Sequence, residues 1–347
     1  MSKIAFDNDL YLKLQFEAFD KKQKENDGLT FFEFGGKPFG DNHAARVLPG
    51  YDPDLKAKLL NKLEKIAKIV IALNARDILS FPYGRTLKGR IRGDSGLRYD
   101  DEVIRLVLES NNKGFKISEV VLTCVPVESN KIIDSEIEQF RKKLEKNGIS
   151  MKINYEIGKY PDVISIKNPT SVFVKNDRIA ENRNLVVVSP GGGSGKFGLI
   201  LSEIYFAISS GINPNFIKFE TFPVFNLGTE HPLNLAFEAA TADLKNKTKE
   251  IKGGTNYNKD IENFLLLKRL LREMKYKGSL SKLNSPLDWG VNVIEKGIKN
   301  MELVKIACKE EIYRRKERYK NEIKEGFERE ATLNRVNNIL KRFDKLN

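Results

Sequence analysis

Apolar residues along this chain fall into two spacings. Uninterrupted runs at Ile69-Val70-Ile71-Ala72-Leu73, Val120-Val121-Leu122-Thr123-Cys124-Val125 and Leu185-Val186-Val187-Val188-Ser189 predict strands buried on both faces. Leu29–Phe34 reads as an earlier strand stopped by Gly35-Gly36, and further strands are expected near residues 151–155 and 216–219. Between these runs the apolar positions recur at helical spacing. Asp7 or Asp9 can cap a first helix running to about Asn26, and residues 54–68, 100–111, 132–147 (closed by Gly148) and 197–210 follow the same pattern. Continuous apolar strands alternating with amphipathic helices indicate a parallel sheet covered on both faces. After Asn256 the strand pattern stops, and residues 261–274, 301–325 and 333–343 read as helices. The expected fold is therefore α/β, with Rossmann-like layered parallel sheets, a P-loop-like strand–loop–helix and a C-terminal helical region. No repeat of fixed period is visible. Three segments are expected: an α/β domain over 1–150, a second α/β domain over 151–250 and a helical region over 251–347, with the last boundary drawn at Lys252-Gly253-Gly254.

Composition narrows the class. The 347 residues are 40% hydrophobic, enough for a sizeable core, and a prior of roughly 150 residues per domain suggests two or three domains. The N-terminus has no apolar signal region, and no apolar run approaches the ~20 residues of a membrane span. Two cysteines, Cys124 and Cys308, make no disulfide framework. A soluble, cytoplasmic protein is expected, and homo-oligomerisation is left open. The formal charge of +13 would suit an anionic partner. Its basic residues are interleaved with acids nearly everywhere, however, which argues against a nucleic-acid footprint and for solvated faces.

The most specific motif follows the third apolar run. Pro190-Gly191-Gly192-Gly193-Ser194-Gly195-Lys196 joins that strand to a helix with Leu199, Leu201, Ile204, Tyr205 and Ile208 on its apolar positions. Glycines let backbone N–H groups approach a phosphate closely, the helix N-terminus adds partial positive charge, and a lysine at the loop's end reaches the outer phosphates. The match to the Walker A pattern is partial. Pro190 stands where the first glycine belongs, and Phe197 replaces the hydroxyl residue that helps hold Mg²⁺. Gly193-Ser194-Gly195-Lys196-Phe197-Gly198 also spells G-x-G-x-x-G, with Glu220 at the end of the next strand where a ribose-binding acid would stand, so a dinucleotide is an alternative. A purely structural glycine turn is the third reading.

Other residues are candidates to surround that loop. In the helix predicted from His231 to Leu244, Asn234, Glu238 and Thr241 form one polar stripe on an otherwise apolar element, which marks either a satisfied network or a site wall. Glu238 and Asp243 are expected to hold Mg²⁺ or act as base with Lys196 and His231, and Glu238 to face the glycine loop. Lys37 and Arg46, after the first strand, suit an anion; Glu220, which could also hold Mg²⁺ or act as base, and Asn234 are expected as further ligand contacts. The loops 35–46, 190–196 and 220–226 are expected to meet at one sheet edge. Arg85, Lys88, Arg90, Arg92 and Arg98 punctuate a glycine-rich stretch that could form a basic lid, though a solvated loop competes with it. Cys124 lies in an apolar strand and reads as core. Glu310–Arg314 and Glu311–Arg315 spacings in the helix over 301–325 read as an exposed, charge-laced surface.

These residues also resemble a known family. Glu33-Phe34-Gly35-Gly36-Lys37, His43-Ala44-Ala45-Arg46-Val47-Leu48-Pro49-Gly50, Gly193-Ser194-Gly195-Lys196, Phe219-Glu220-Thr221-Phe222-Pro223, His231-Pro232 and Glu238-Ala239-Ala240-Thr241-Ala242-Asp243-Leu244 occur in order. Together they resemble the bacterial domain-of-unknown-function family 1846, also called uncharacterised protein family 0371. The resemblance implies a Rossmann-like α/β body with a helical part, and members that usually continue for a further domain, so that this chain is expected to be either a natural short form or one whose C-terminal portion is lost. It carries no activity over. The functional expectation is a nucleotide- or phosphometabolite-binding protein, using ATP or a similar nucleotide with Mg²⁺, that transfers phosphate or drives an ATP-dependent step on a small phosphorylated ligand. A non-catalytic nucleotide sensor or scaffold is the alternative, and an RNA-associated protein the third.

Overall fold

In the computed structural model, residues 4–25, 27–80, 96–128, 130–157, 179–244 and 248–346 are described. Strands β1 (Leu29–Phe34), β2 (Ala67–Asn74), β3 (Glu119–Val125), β4 (Ser150–Tyr155), β5 (Asn184–Val188) and β6 (Pro214–Phe219) form one sheet in the order β4-β3-β2-β5-β1-β6. Every neighbouring pair is parallel. The chain steps outward from β2 to β3 to β4, then returns to the other side of β2 as β5. The crevice between the C-terminal ends of β2 and β5 is thus a topological switch point, the usual ligand position in such sheets.

Period-two alternation decides which side chains meet which layer. Phe32, Phe34, Ile69, Ile71, Val186 and Val188 pack on one face. The first helix, α1 (Asn8–Lys24), covers that face, and the short α2 (Asn42–Val47) follows β1 in the chain. Helices α3 (Leu55–Glu64), α4 (Tyr99–Asn112) and α5 (Lys131–Glu145) complete the same layer. Phe31, Val70, Ala72, Leu185 and Val187 face the other side. There α6 (Lys196–Ser209) and α8 (Asn258–Glu273) lie against them, with α7 (Pro232–Ala240) between them in sequence. A third core joins α7 to α9 (Met301–Lys324) and α10 (Glu330–Phe343) through Leu233, Leu235, Ala236, Cys308, Ile312, Tyr319, Ile339 and Phe343. No described helix is long and apolar enough to cross a membrane.

The element pattern agrees with the sequence closely, and the organisation differs in three places. β1 lies between β5 and β6, so strands expected on both sides of residue 150 share one sheet and that boundary separates no sheets. Lys252-Gly253-Gly254 is not a domain boundary. Lys252-Gly253 turns an antiparallel hairpin of β7 (Thr248–Ile251) and β8 (Gly254–Tyr257), with Gly253 at φ +95°. The segment 251–347 is not set apart either, since α8 covers the sheet and α9 packs on α2 and α7. The expected helix over 231–244 ends at Ala240.

Candidate functional site

The glycine loop follows β5, beside the switch point. Three bonds pin it from neighbouring residues: Asn74 Nδ2 donates to Gly193 O (2.8 Å), Thr123 Oγ1 donates to Ser194 O (2.6 Å), and Ser189 Oγ donates to Gly191 O (2.8 Å). Gly193 and Gly195 both sit at φ +78°, a left-handed conformation that glycine adopts without strain. At Gly195 a Cβ would also lie 2.3 Å from Thr123 Oγ1. Helix α6 then starts at Lys196 with no side-chain cap. Among the described residues, no backbone N–H from Gly191 to Gly198 donates a hydrogen bond to the protein. Ser194 Oγ is buried and also lacks a partner. The Phe197 ring packs against Phe216 and Trp289 in the core, which is why no hydroxyl stands there.

All eight residues from Gly191 to Gly198 line a cavity of about 1000 Å³ at the C-terminal edge of the sheet. The post-strand loops expected to converge do so: Gly35, Lys37 and Arg46 after β1, the glycine loop after β5, and Glu220, Thr221 and Phe222 after β6 line the same space. Gly35 makes the approach possible. Its N–H donates to Phe219 O (2.7 Å), and a Cβ there would fall 2.2 Å from Glu220 Cγ. Among the described residues, nine lysines and arginines and five aspartates and glutamates line the cavity, so its field favours an anion.

At its floor lies a buried cluster of opposite charges. Glu33 and Lys218 are register partners across β1 and β6. Lys218 Nζ is 3.4 Å from Glu220 Oε1 and bonds Asp260 from the first turn of α8. Glu33 Oε2, Glu220 Oε2 and Asp260 Oδ2 are buried without hydrogen-bond partners. Burial, aided by the Asp260 and Glu33 carboxylates, outweighs Lys218 and Lys196 and pushes the Glu220 carboxyl up to about 7. Lys196 is itself buried, donating to Ser189 Oγ (2.9 Å). Burial lowers its ammonium pKa, though Glu33 and Glu220 oppose this. Burial would also lower Lys218, but Asp260, Glu220 and Glu33 hold it well above the ordinary lysine value.

A second charged cluster lines the cavity from α2 and α9. Glu311, with a side chain 1% exposed, accepts from Arg46 Nε (2.9 Å), Arg315 Nε (2.9 Å) and both Nε (2.7 Å) and Nη2 (2.9 Å) of Arg314. His43 Nδ1 is 3.2 Å from the same carboxylate. Burial would raise Glu311, but hydrogen bonds from His43 and Arg314 and the Arg315 charge hold it far below the usual carboxylate range. Burial keeps His43 below its ordinary value. Phe222 and Phe237 stack beside it, 5.7 Å between ring centroids.

The expected site residues therefore separate into two groups. Lys196, the loop Gly191–Gly195, Lys37, Arg46 and Glu220 line the cavity. Lys37 is already paired with Glu102 at 3.2 Å, and Arg46 with Glu311. The four residues of the His231 segment lie elsewhere. Glu238 does not face the loop; it pairs with Arg342 of α10 (2.9 Å). Asp243 accepts from Tyr319 Oη (2.9 Å), and His231 caps α7 by accepting from Leu233 N (3.3 Å). Asn234 is buried and holds the post-β6 loop, accepting from Val224 N (2.8 Å) and donating to Val224 O, Leu227 O and Gly228 O. The polar stripe is thus a satisfied network, and Glu238 and Asp243 are not arranged as a metal pair. Among the described residues, no group of three or more His, Cys, Asp or Glu is placed to hold a metal.

Two other expectations change, and a third falls mostly outside the described residues. Cys124 is not core: it sits in the irregular end of β3 at φ +54° and lines the cavity, its thiol raised by burial. Arg314 pairs with Glu311 rather than Glu310, and this part of α9 is a cavity wall rather than an exposed surface. Of the basic stretch, Arg85, Lys88, Arg90 and Arg92 lie outside the described residues, while Arg98 pairs with Asp100 (3.0 Å). Sequence reasoning missed Lys218, Asp260, Asn74, Arg314 and Arg315. Lys218 carried a readable signal, a charge inside the apolar strand Phe216-Ile217-Lys218-Phe219, as did Glu33 in Phe31-Phe32-Glu33-Phe34.

A family model described as "Domain of unknown function DUF1846, N-terminal" matches residues 4–344. A UPF0371 protein of Streptococcus pyogenes serotype M5 (strain Manfredo) is 42% identical over 324 residues, covering 91% of this chain and 62% of the relative. A UPF0371 protein of Streptococcus pneumoniae (strain Hungary19A-6) is 42% identical over 325 residues, with the same coverage of each chain. This chain belongs to that family. It spans 62% of the length of these relatives.

Proposed function

We propose that this member of the family binds a phosphate-bearing small molecule, a nucleotide such as ATP foremost, and uses it in a phosphate-transferring or ATP-dependent reaction on a small metabolite. One observation carries the reading. Eight consecutive backbone amides, Gly191 to Gly198, have no acceptor among the described residues, and all eight residues line a cavity rich in cations. Unpaired amides at an uncapped helix start complement a phosphate through hydrogen bonds and the helix dipole together. Lys196, buried beside them, adds a side-chain amine donor at the loop's end.

Glu220 gives the site its chemistry. A carboxyl pushed up to about 7 can exchange a proton near neutrality, as a general acid or base must. Beside it, Phe222, Phe237 and Tyr257 offer apolar wall for the rest of the ligand. A non-catalytic nucleotide sensor is the second reading, favoured by the Phe197 ring where a Mg²⁺-holding hydroxyl would otherwise stand.

Calorimetric titration with ATP tests the reading. Lys196→Ala should weaken binding by about 1.5–3 kcal/mol, the range for hydrogen bonds to charged groups, with unchanged near-ultraviolet circular dichroism. Equal affinity in the two proteins would overturn it. ATP turnover in a metabolite mixture separates the enzyme from the sensor.

A further inference from the structure

We propose that Arg46, Arg314 and Arg315 form a second oxyanion subsite in the same cavity, so that the ligand carries two anionic groups: a phosphate on Gly191–Lys196 and a carboxylate or second phosphate on the arginines. This rests on the phosphate reading for one end of the ligand and on independent residues for the other.

The arginines outnumber the charge they pair. A carboxylate has two oxygens with about four lone-pair sites, and one bidentate arginine suffices to pair it. Glu311 is met instead by three guanidinium groups and His43. Arg314 alone grips both of its oxygens. Arg46 and Arg315 each spend only Nε on Glu311, and among the described residues their Nη groups make no hydrogen bond. One buried carboxylate therefore orients three fixed positive charges and neutralises one of them. The unspent Nη edges of Arg46 and Arg315, with the remaining Nη1 of Arg314, match the planar or tetrahedral oxyanions that arginine recognises best. All three line the cavity that the glycine loop lines, from the opposite elements, α2 and α9. A plain structural clamp between those helices would need fewer cations.

The test uses probes whose two ends can be varied separately. Affinities of the full chain are measured for an alkylphosphonate, for ω-phosphonocarboxylates of increasing chain length, and for the matching bisphosphonates. At one spacing a second anionic group should tighten binding about tenfold or more, the effect of one added charge-assisted hydrogen-bond pair. The carboxylate and phosphonate series tell which second group the arginines take. Arg314→Gln, at a side chain 46% exposed, should remove that gain and leave alkylphosphonate binding within about twofold, and Arg46→Gln should do the same. Lys196→Ala should weaken both probe classes. The subsite is overturned, with the phosphate reading intact, if alkylphosphonate binds but no spacing improves on it. It is equally overturned if the gain survives both arginine variants, or if those variants weaken the alkylphosphonate as much as the longer probes. Binding of neither class overturns both proposals.

Discussion

Glu220 owes its chemistry to its neighbours. Glu33 on β1, Lys218 on β6, Lys196 on α6 and Asp260 on α8 all act on its carboxyl, and burial with the two acids prevails. Its folded pKa is raised, so the folded chain keeps a proton that the unfolded chain has released. The stability this group contributes is fully present below the ordinary glutamate range and is lost as pH rises through about 7. Glu220→Gln removes the titration. The parent's melting temperature should therefore fall relative to the variant's between about pH 5 and pH 8; parallel profiles would contradict the assignment. Gly195 makes a second residue-scale prediction. With φ at +78° and Thr123 Oγ1 2.3 Å from where a methyl group would stand, Gly195→Ala should destabilise the fold or displace the loop, at a cost of about 1–3 kcal/mol in urea unfolding. An unchanged unfolding midpoint with an unmoved loop would refute it. The glycine loop was legible because glycine, lysine and a helix start must be contiguous in sequence. Glu33, Lys218 and Asp260 were not assembled because their contact crosses β1, β6 and α8, and charges that meet only through tertiary packing leave no spacing to read.

Helix α7 illustrates what periodicity can and cannot say about an element. The three- and four-residue spacing of Asn234, Glu238 and Thr241 is real, but the partners come from other segments. Asn234 holds a loop, Glu238 meets Arg342, and Thr241 Oγ1 donates to Phe237 O (3.0 Å). Asn234→Ala would leave the buried Val224 N without its acceptor, while Val224 O, Leu227 O and Gly228 O keep donors in Leu227 N, Thr255 Oγ1 and His231 N, and should cost about 1–3 kcal/mol of stability in denaturant unfolding. Loss of less than half of that would mean the loop does not depend on it. Glu238→Gln should leave ATP affinity unchanged, because its carboxylate lies outside the cavity lining, and should cost no more than about 1 kcal/mol for a partly exposed ion pair. A loss of affinity of about tenfold would return Glu238 to the site. Helix α9 makes the converse point. Its charges looked solvated because acids and bases alternate, yet docking on α2 buries Glu311 and turns Arg314 and Arg315 into cavity wall.

At the scale of the molecule, parallel strands gather their following loops at one end whatever their order, so the convergence of the Lys37, Lys196 and Glu220 loops could be argued before the order was known. The order itself could not. Apolar runs mark strands but do not say that β1 is inserted between β5 and β6, and that insertion brings the loop and helix carrying Lys37 and Arg46 to the same cavity as the glycine loop. Everything proposed for the cavity depends on the loop amides receiving a phosphate, and selective ¹⁵N-glycine labelling reads those amides directly. On titration with ATP, the amide resonances of Gly191, Gly192, Gly193 and Gly195 should move downfield and saturate together, while Gly148 and Gly211, at helix ends away from the cavity lining, stay in place. Saturable ATP binding that leaves the four loop glycines unmoved would contradict phosphate capture by this loop.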